Sequence, residues 1–297
     1  MRQGFIVVDK PAGMTSHDVV ARVRRILNTK KVGHTGTLDP FATGVLPVAL
    51  GEGTKAIPFL DEGVKEYRAV MMLGVATDTE DVEGKVISER PLDEIDETAI
   101  RKVFATFTGT IAQIPPMFSA LKRNGVPLYK LARKGEEVER EPRQVTLYSL
   151  VIDRIDLPLL AFTVRCSRGT YVRSLARDIG AQLGCGAHLT ALRRTSSGPF
   201  TLDQARTLEQ LADEAVAGPK LVGIISLSEA LGHLLHLELT ANGERRVRNG
   251  IAPVADDLEE PLQLHAPGQK AVLFRDGALV AVAEEQAGQF VIVRGFT

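Results

Sequence analysis

The chain has 297 residues, 44% of them hydrophobic, a formal net charge of -1 and two cysteines. That length buries one sizeable core and a second, smaller one. The near-zero charge excludes a wholly basic nucleic-acid binder, two cysteines exclude a disulfide framework, and no apolar run approaches the roughly 20 residues of a membrane span.

Met1-Arg2-Gln3-Gly4-Phe5 enters a strand-like run at once, leaving no room for a signal peptide, so the reading is a cytoplasmic globular protein. Phe5 to Val8 reads as a buried strand and Asp9 to Ser16 as a turn. Val19, Val20, Val23, Ile26 and Leu27 then recur at helical spacing, with Thr15 or Ser16 as the cap. The segment Gly33-His34-Thr35-Gly36-Thr37-Leu38-Asp39-Pro40-Phe41-Ala42-Thr43-Gly44 follows. Asp39-Pro40 fits a helix start, because Asp is a favoured N-cap and Pro a favoured first helical residue. The glycines around it fit an exposed bend that approaches a ligand and holds a nucleophile.

Tyr67 to Leu73 alternates as a strand, and Asp96 to Phe107 has a helical face of Ile100, Val103, Phe104 and Phe107. Between them, Asp78 to Gly84 lacks the spacing and closing glutamate of a calcium loop and reads as an acidic turn; Gly51 to Lys55 lacks the frame of a P-loop. After Pro115-Pro116 come an irregular hairpin (Met117 to Gly125), a short basic helix (Leu128 to Lys134) and strands at Val145 to Asp153 and Leu160 to Cys166. Thr170 is placed as the cap of a helix running to Leu183. Cys185 and His188 offer two ligands where structural zinc takes four, so no metal site is expected. Ala217-Gly218-Pro219 reads as part of a connection. From His236 the texture becomes that of a small, mostly β unit: a helix at Ala241 to Val247, then strands at Ala271 to Phe274, Leu279 to Glu284 and Phe290 to Val293. The order of elements predicts an α+β fold with a mixed, largely antiparallel sheet.

Basic residues gather in three blocks, around Arg22 to Lys31, Lys122 to Arg143 and Arg165 to Arg194, which together can form a phosphate footprint. Arg173 and Arg177 stand four apart on one helix, a like-charge pair that needs an anion nearby. Asp178 is the local candidate and Asp39 the distant one, where a guanidinium would keep a carboxylate charged. Of the four tyrosines, Tyr67, Tyr129, Tyr148 and Tyr171, two stand beside basic residues at element edges, as packing residues or as faces on which a flipped base stacks.

Asp9-Lys10-Pro11 with Gly13-Met14-Thr15-Ser16, Gly33 to Pro40, Lys65-Glu66-Tyr67, Thr77-Asp78-Thr79, Pro115 to Ala120 and Arg168 to Arg173 together resemble the bacterial TruB-type tRNA pseudouridine synthases, over about residues 5 to 200. Phe41 departs from the aliphatic residue common there and keeps its bulk. The resemblance implies a catalytic domain over 1–230 and a PUA-like RNA-binding domain over 236–297. It implies isomerisation of one uridine in the TΨC loop of tRNA, position 55, with Asp39 as nucleophile, Tyr67 stacked on the flipped uracil and Arg173 paired with Asp39. Tyr171 would line the pocket, Leu192 would wall it, His34 would contact the loop, and Lys10 and Lys55 would touch tRNA. No cofactor or metal is implied. The partner is the T-stem loop of tRNA, with no membrane, no obligatory protein partner and a monomeric chain. Two other readings stand beside it: a noncatalytic RNA-binding or tRNA-folding protein, against which Asp39, Tyr67 and Arg173 together speak, and a synthase acting on another RNA.

Overall fold

Phe5-Ile6-Val7-Val8 shows no polar alternation because both faces of its strand are covered. The computed structural model describes residues 3–218, 223–260 and 266–296; Met1, Arg2 and Pro219, used above, lie outside them. The first strand is β1 (Gly4–Lys10), which feeds α1 (Ser16–Ile26). A capping box starts that helix: Thr15 Oγ1 accepts from Asp18 N, and the Asp18 carboxylate accepts from Thr15 N. The glycine segment runs between β2 (Val32–His34) and β3 (Thr43–Leu50).

A short α2 (Gly53–Ala56) precedes β4 (Val64–Leu73) and the hairpin of β5 (Val75–Thr77) and β6 (Val86–Glu89). Next come α3 (Glu97–Thr106), capped by Asp96, then β7 (Gly109–Gln113), the small hairpin β8 (Lys122–Arg123) and β9 (Val126–Pro127), and α4 (Leu128–Ala132). Long strands β10 (Arg143–Asp156) and β11 (Leu159–Ser167) lead into α5 (Val172–Gln182) and β12 (Ala187–Ser197). The segment ends with β13 (Phe200–Thr201), β14 (Ala205–Arg206) and α6 (Leu208–Ala217).

Apart from the separate hairpins β5–β6 and β8–β9, these strands form one sheet in the order β14-β1-β3-β12-β4-β11-β10-β7, with β13 on β12 and β2 on β3. Only the β1–β14 and β3–β12 pairings are parallel, so the sheet is mixed and largely antiparallel as expected. Strands β3 and β12, near its middle, carry no clear sequence signal. Pro47 argues against a central strand because it cannot donate to a ladder. Here it falls in a gap: on that side of β3, β12 pairs at Thr43 and Gly44, and β2 pairs from Val48 onward.

Beyond α7 (Leu227–Ala230), a second sheet runs in the order β15 (Leu235–Glu238), β16 (Lys270–Arg275), β17 (Ala278–Gln286), β18 (Gln289–Gly295), with α8 (Ala241–Arg248) against it. Alternation along the central strands sorts the side chains. Ile6, Val8, Leu46 and Val48 join the large core beneath α1 and α5, whereas Phe5, Val7, Val45 and Ala49 pack with Phe200, Val272, Phe274, Leu279 and Phe296. The C-terminal unit therefore forms a cover for one face of the large sheet.

One expected boundary is corrected. The N-cap of α5 is Tyr171 rather than Thr170, and it makes no side-chain cap bond; the Thr170 hydroxyl donates back to Ser167 O at 2.9 Å.

Candidate active site

No helix follows Asp39-Pro40, because the chain turns straight into β3, so the N-cap reading falls. The backbone on either side of Asp39 is fixed instead. Ser16 Oγ accepts from Leu38 N at 2.9 Å and donates to Leu38 O at 3.2 Å. Pro40 O accepts from Gly13 N at 2.9 Å and from Lys10 Nζ at 3.0 Å. Just before Leu38 in the loop, Arg194 donates to Gly36 O and Thr37 O. Gly44 is explained by close approach: its φ is +100°, and a Cβ there would lie 2.2 Å from Arg194 O.

Helix α5 brings Arg173 under this loop. Its Nε donates to Asp39 Oδ2 at 2.8 Å, Nη1 to Thr79 O and Nη2 to Phe118 O, both at 2.8 Å, and Asp81 Oδ2 lies 3.5 Å away. Its side chain is 3% exposed while that of Asp39 is 33% exposed. Among the described residues Asp39 Oδ1 receives no hydrogen bond, so one carboxylate oxygen is anchored and the other faces outward. The Thr79 and Phe118 carbonyls fix the plane of the guanidinium, which fixes the carboxylate in turn.

Asp78 to Gly84 is therefore more than the acidic turn it resembles. Asp81 accepts from Thr79 Oγ1 and Glu83 N and faces Arg173; Glu80 accepts from Ser174 Oγ at 2.8 Å and from Arg177. Burial pushes the Asp81 and Glu80 carboxyls up, and the two arginines oppose that rise. The like-charge pair is thus relieved by four carboxylates, Asp39 and Asp81 at Arg173 and Glu80 and Asp178 at Arg177. The spacing of Thr79, Glu80 and Asp81 was visible, but nothing local pointed it at α5.

Tyr67 lies on β4, 7% exposed, and burial raises its phenol, so the ring is neutral at physiological pH. Leu192, also 7% exposed, stands on neighbouring β12 opposite Ala69. Tyr171 is gripped through its backbone, since Gln113 of β7 accepts from Tyr171 N at 2.8 Å and donates to Tyr171 O at 3.1 Å. Its phenol is raised by burial. Gln113 was not anticipated, and no sequence signal marks it.

His34 ends β2, with its ring edge-on to His17 at 5.1 Å between centroids and its buried Nδ1 without a hydrogen-bond partner. Burial lowers its pKa, keeping the imidazole neutral. It makes no hydrogen bond to Asp39 or Arg173. Lys55 stands apart too: its ammonium meets Glu52 Oε2 at 2.5 Å and Gly295 O at 3.5 Å, at the seam with the C-terminal unit. Lys10 is corrected. It is 0% exposed and donates to Pro11 O, Met14 O and Pro40 O, so it organises the loop from within rather than meeting RNA at the surface. Cys185 and His188 turn to backbone carbonyls, His188 Nδ1 lying 2.8 Å from Val75 O.

Comparison with known proteins bears on this geometry. Residues 24–172 match the model of the TruB family pseudouridylate synthase N-terminal domain, and residues 173–225 match that of the tRNA pseudouridylate synthase B C-terminal domain. The chain belongs to the TruB family of pseudouridylate synthases. It is 60% identical over 286 residues to the tRNA pseudouridine synthase B of Geobacter sulfurreducens, covering 96% of this chain and 94% of that protein. It is 45% identical over 300 residues to that of Syntrophotalea carbinolica, covering 99% and 97%. Among solved structures it is similar to an H/ACA RNP bound to a substrate RNA containing 2′-deoxyuridine, with a TM-score of 0.75 at 28% identity, covering 99% of this chain and 85% of that one. A Cbf5-Nop10-Gar1 complex gives 0.74 at 30% identity, covering 99% and 84%. Both family models lie within the large sheet and its helices, and the cluster around Asp39 draws on both: Asp39 and Tyr67 from the first, Arg173 and Leu192 from the second.

Proposed function

We propose that this enzyme converts a uridine in the TΨC loop of tRNA to pseudouridine, with Asp39 as the nucleophile. The observation that carries the reading is the asymmetry of Asp39: Oδ2 is bound to a buried guanidinium, and Oδ1 is free and outward-facing. Such a carboxylate is fixed in place and still able to react. The reaction breaks the bond from C1′ to N1 and forms one from C1′ to C5. The C5 proton leaves and N1 is protonated, so no redox partner is required.

Tyr67 and Leu192 supply the neutral and apolar surfaces against which an extruded uracil packs, and Tyr171 borders them. His34 and the partly exposed Lys55 are assigned to RNA contact outside the chemical centre. Residues 1–230 form the catalytic domain in this reading, and 236–297 a PUA-like RNA-binding domain that acts in a single, monomeric, cytoplasmic chain. The tRNA substrate is favoured over another RNA because the chain is 60% identical to a tRNA pseudouridine synthase B over nearly its full length.

The test is tritium release from a tRNA transcript carrying 5-tritiated uridine, with the product mapped by sequence position. Wild-type release at the T loop, absent in Asp39→Asn at unchanged tRNA binding, is the expected result. A folded wild type that binds tRNA and releases nothing would move the assignment to an RNA-binding or RNA-folding protein, and release mapped elsewhere to another target.

A further inference from the structure

Arg193 and Arg194 are neighbours with opposite fates. Arg193 points outward and makes an ordinary two-pronged ion pair with Asp9, at 3.0 and 2.7 Å. Arg194 is 0% exposed and, among the described residues, has no carboxylate within ion-pair distance. Its guanidinium is spent on backbone carbonyls: Nε to Val45 O at 2.7 Å, Nη2 to Gly36 O at 3.1 Å and Nη1 to Thr37 O at 3.4 Å. An unpaired charge is expensive to bury, and an apolar side chain fills space more cheaply. Its retention calls for a task.

The task is suggested by what Arg194 joins. It is the direct cross-strand partner of Tyr67, and the β12–β4 register breaks immediately after it, an irregularity of the kind that re-aims a side chain. Burial raises the Tyr67 phenol, and the charge of the neighbouring guanidinium works against that rise. On its other side are the Gly36 and Thr37 carbonyls, three and two residues before Asp39. Gly44, which admits no Cβ, lets β3 press against the Arg194 backbone so that this reach is possible.

We propose that Arg194 is a positioning residue for isomerisation, locking the loop that carries Asp39 to the strand that carries Tyr67, so that nucleophile and stacking surface keep one spacing. This rests on the roles given above to Asp39 and Tyr67. Arginine is needed because its planar fork reaches three carbonyls at once from a position paired with Tyr67, which a lysine ammonium does not. A displacement of the order of an ångström between reacting groups costs about a hundredfold in rate.

The experiment compares wild type, Arg194→Lys and Arg194→Gln by single-turnover pseudouridine formation, tRNA filter binding and fluorine NMR titration. For the titration, all tyrosines are replaced biosynthetically by difluorotyrosine, and the Tyr67 signal is assigned by its loss in Tyr67→Phe. Arg194→Lys should lose about a hundredfold in the single-turnover rate while tRNA affinity changes by less than about threefold. In Arg194→Gln the Tyr67 phenol should titrate at higher pH than in wild type. An unmoved Tyr67 titration, an unchanged rate, or a rate loss matched by an equal loss of tRNA affinity would overturn the proposal. Failure of both variants to fold would overturn it in favour of a purely architectural arginine. An inactive wild type would strike the underlying reading instead, and the fluorine titration, which needs no turnover, would still decide whether Arg194 acts on Tyr67.

Discussion

Two aspartate–arginine pairs in this molecule are built inside out relative to each other. In the large sheet Arg173 is 3% exposed and Asp39 33%; in the C-terminal unit Asp257 is 1% exposed and Arg246 36%. Asp257 Oδ2 accepts from Arg246 Nε and Val254 N, and Oδ1 from Asn242 Nδ2, so both oxygens are satisfied. Asp39 has one anchored oxygen and one open. Burying the acid makes a staple between α8 and the turn at Ala255–Asp257, and burying the base leaves an acid with one oxygen open.

Exchanging Asp for Asn at both positions breaks the comparison most sharply. Asp39→Asn should lower single-turnover isomerisation by at least about a thousandfold, as loss of a nucleophile does, whereas Asp257→Asn should leave the rate per folded molecule unchanged. Arg173→Lys follows: with the fork lost and Asp81 left buried without its partner, the rate should fall about a hundredfold and thermal unfolding should report roughly 3 kcal/mol less stability. Asp257→Ala should lose about 2 kcal/mol in urea unfolding, with tritium release by the folded fraction intact.

The smallest effect is in pH. Burial pushes the Lys10 ammonium down to about 8 from its ordinary 10.5, and Lys65 behaves alike. Between about pH 8 and 9 the unfolded chain then holds protons that the folded chain has released, so stability rises with pH, by roughly 1 kcal/mol for Lys10. Cys166, pushed up to about 11, opposes this above its usual range near 9 and offsets part of the rise there. Urea unfolding at the two pH values should show the rise in wild type and a smaller one in Lys10→Met.

Legibility followed locality. Helix α1, its cap and the C-terminal strands were readable because their signals lie within a few residues. Strand β3 was not, because its proline is tolerated only through the gap between two partners distant in sequence. Strand β12 was hidden by paired arginines, whose separate partners, Asp9 for one and three backbone carbonyls for the other, only the fold assembles. At the site, the residue types at 39, 67 and 173 stood out as motifs, while Gln113 and the turn of Thr79 to Asp81 took their meaning from chain crossings. Lys10 was misread for the same reason, since a lysine beside a proline gives no sign that three carbonyls enclose it.

The Ser16 and Lys10 clamps have a consequence for how an RNA is received. With Leu38 held at both its amide and its carbonyl, and Pro40 held at its carbonyl, the loop has no slack with which to greet a nucleotide. In the function proposed here, the rearrangement on docking would fall to the RNA rather than to this loop. Amide hydrogen exchange at Leu38 should accordingly run at the same slow pace with tRNA present as without it.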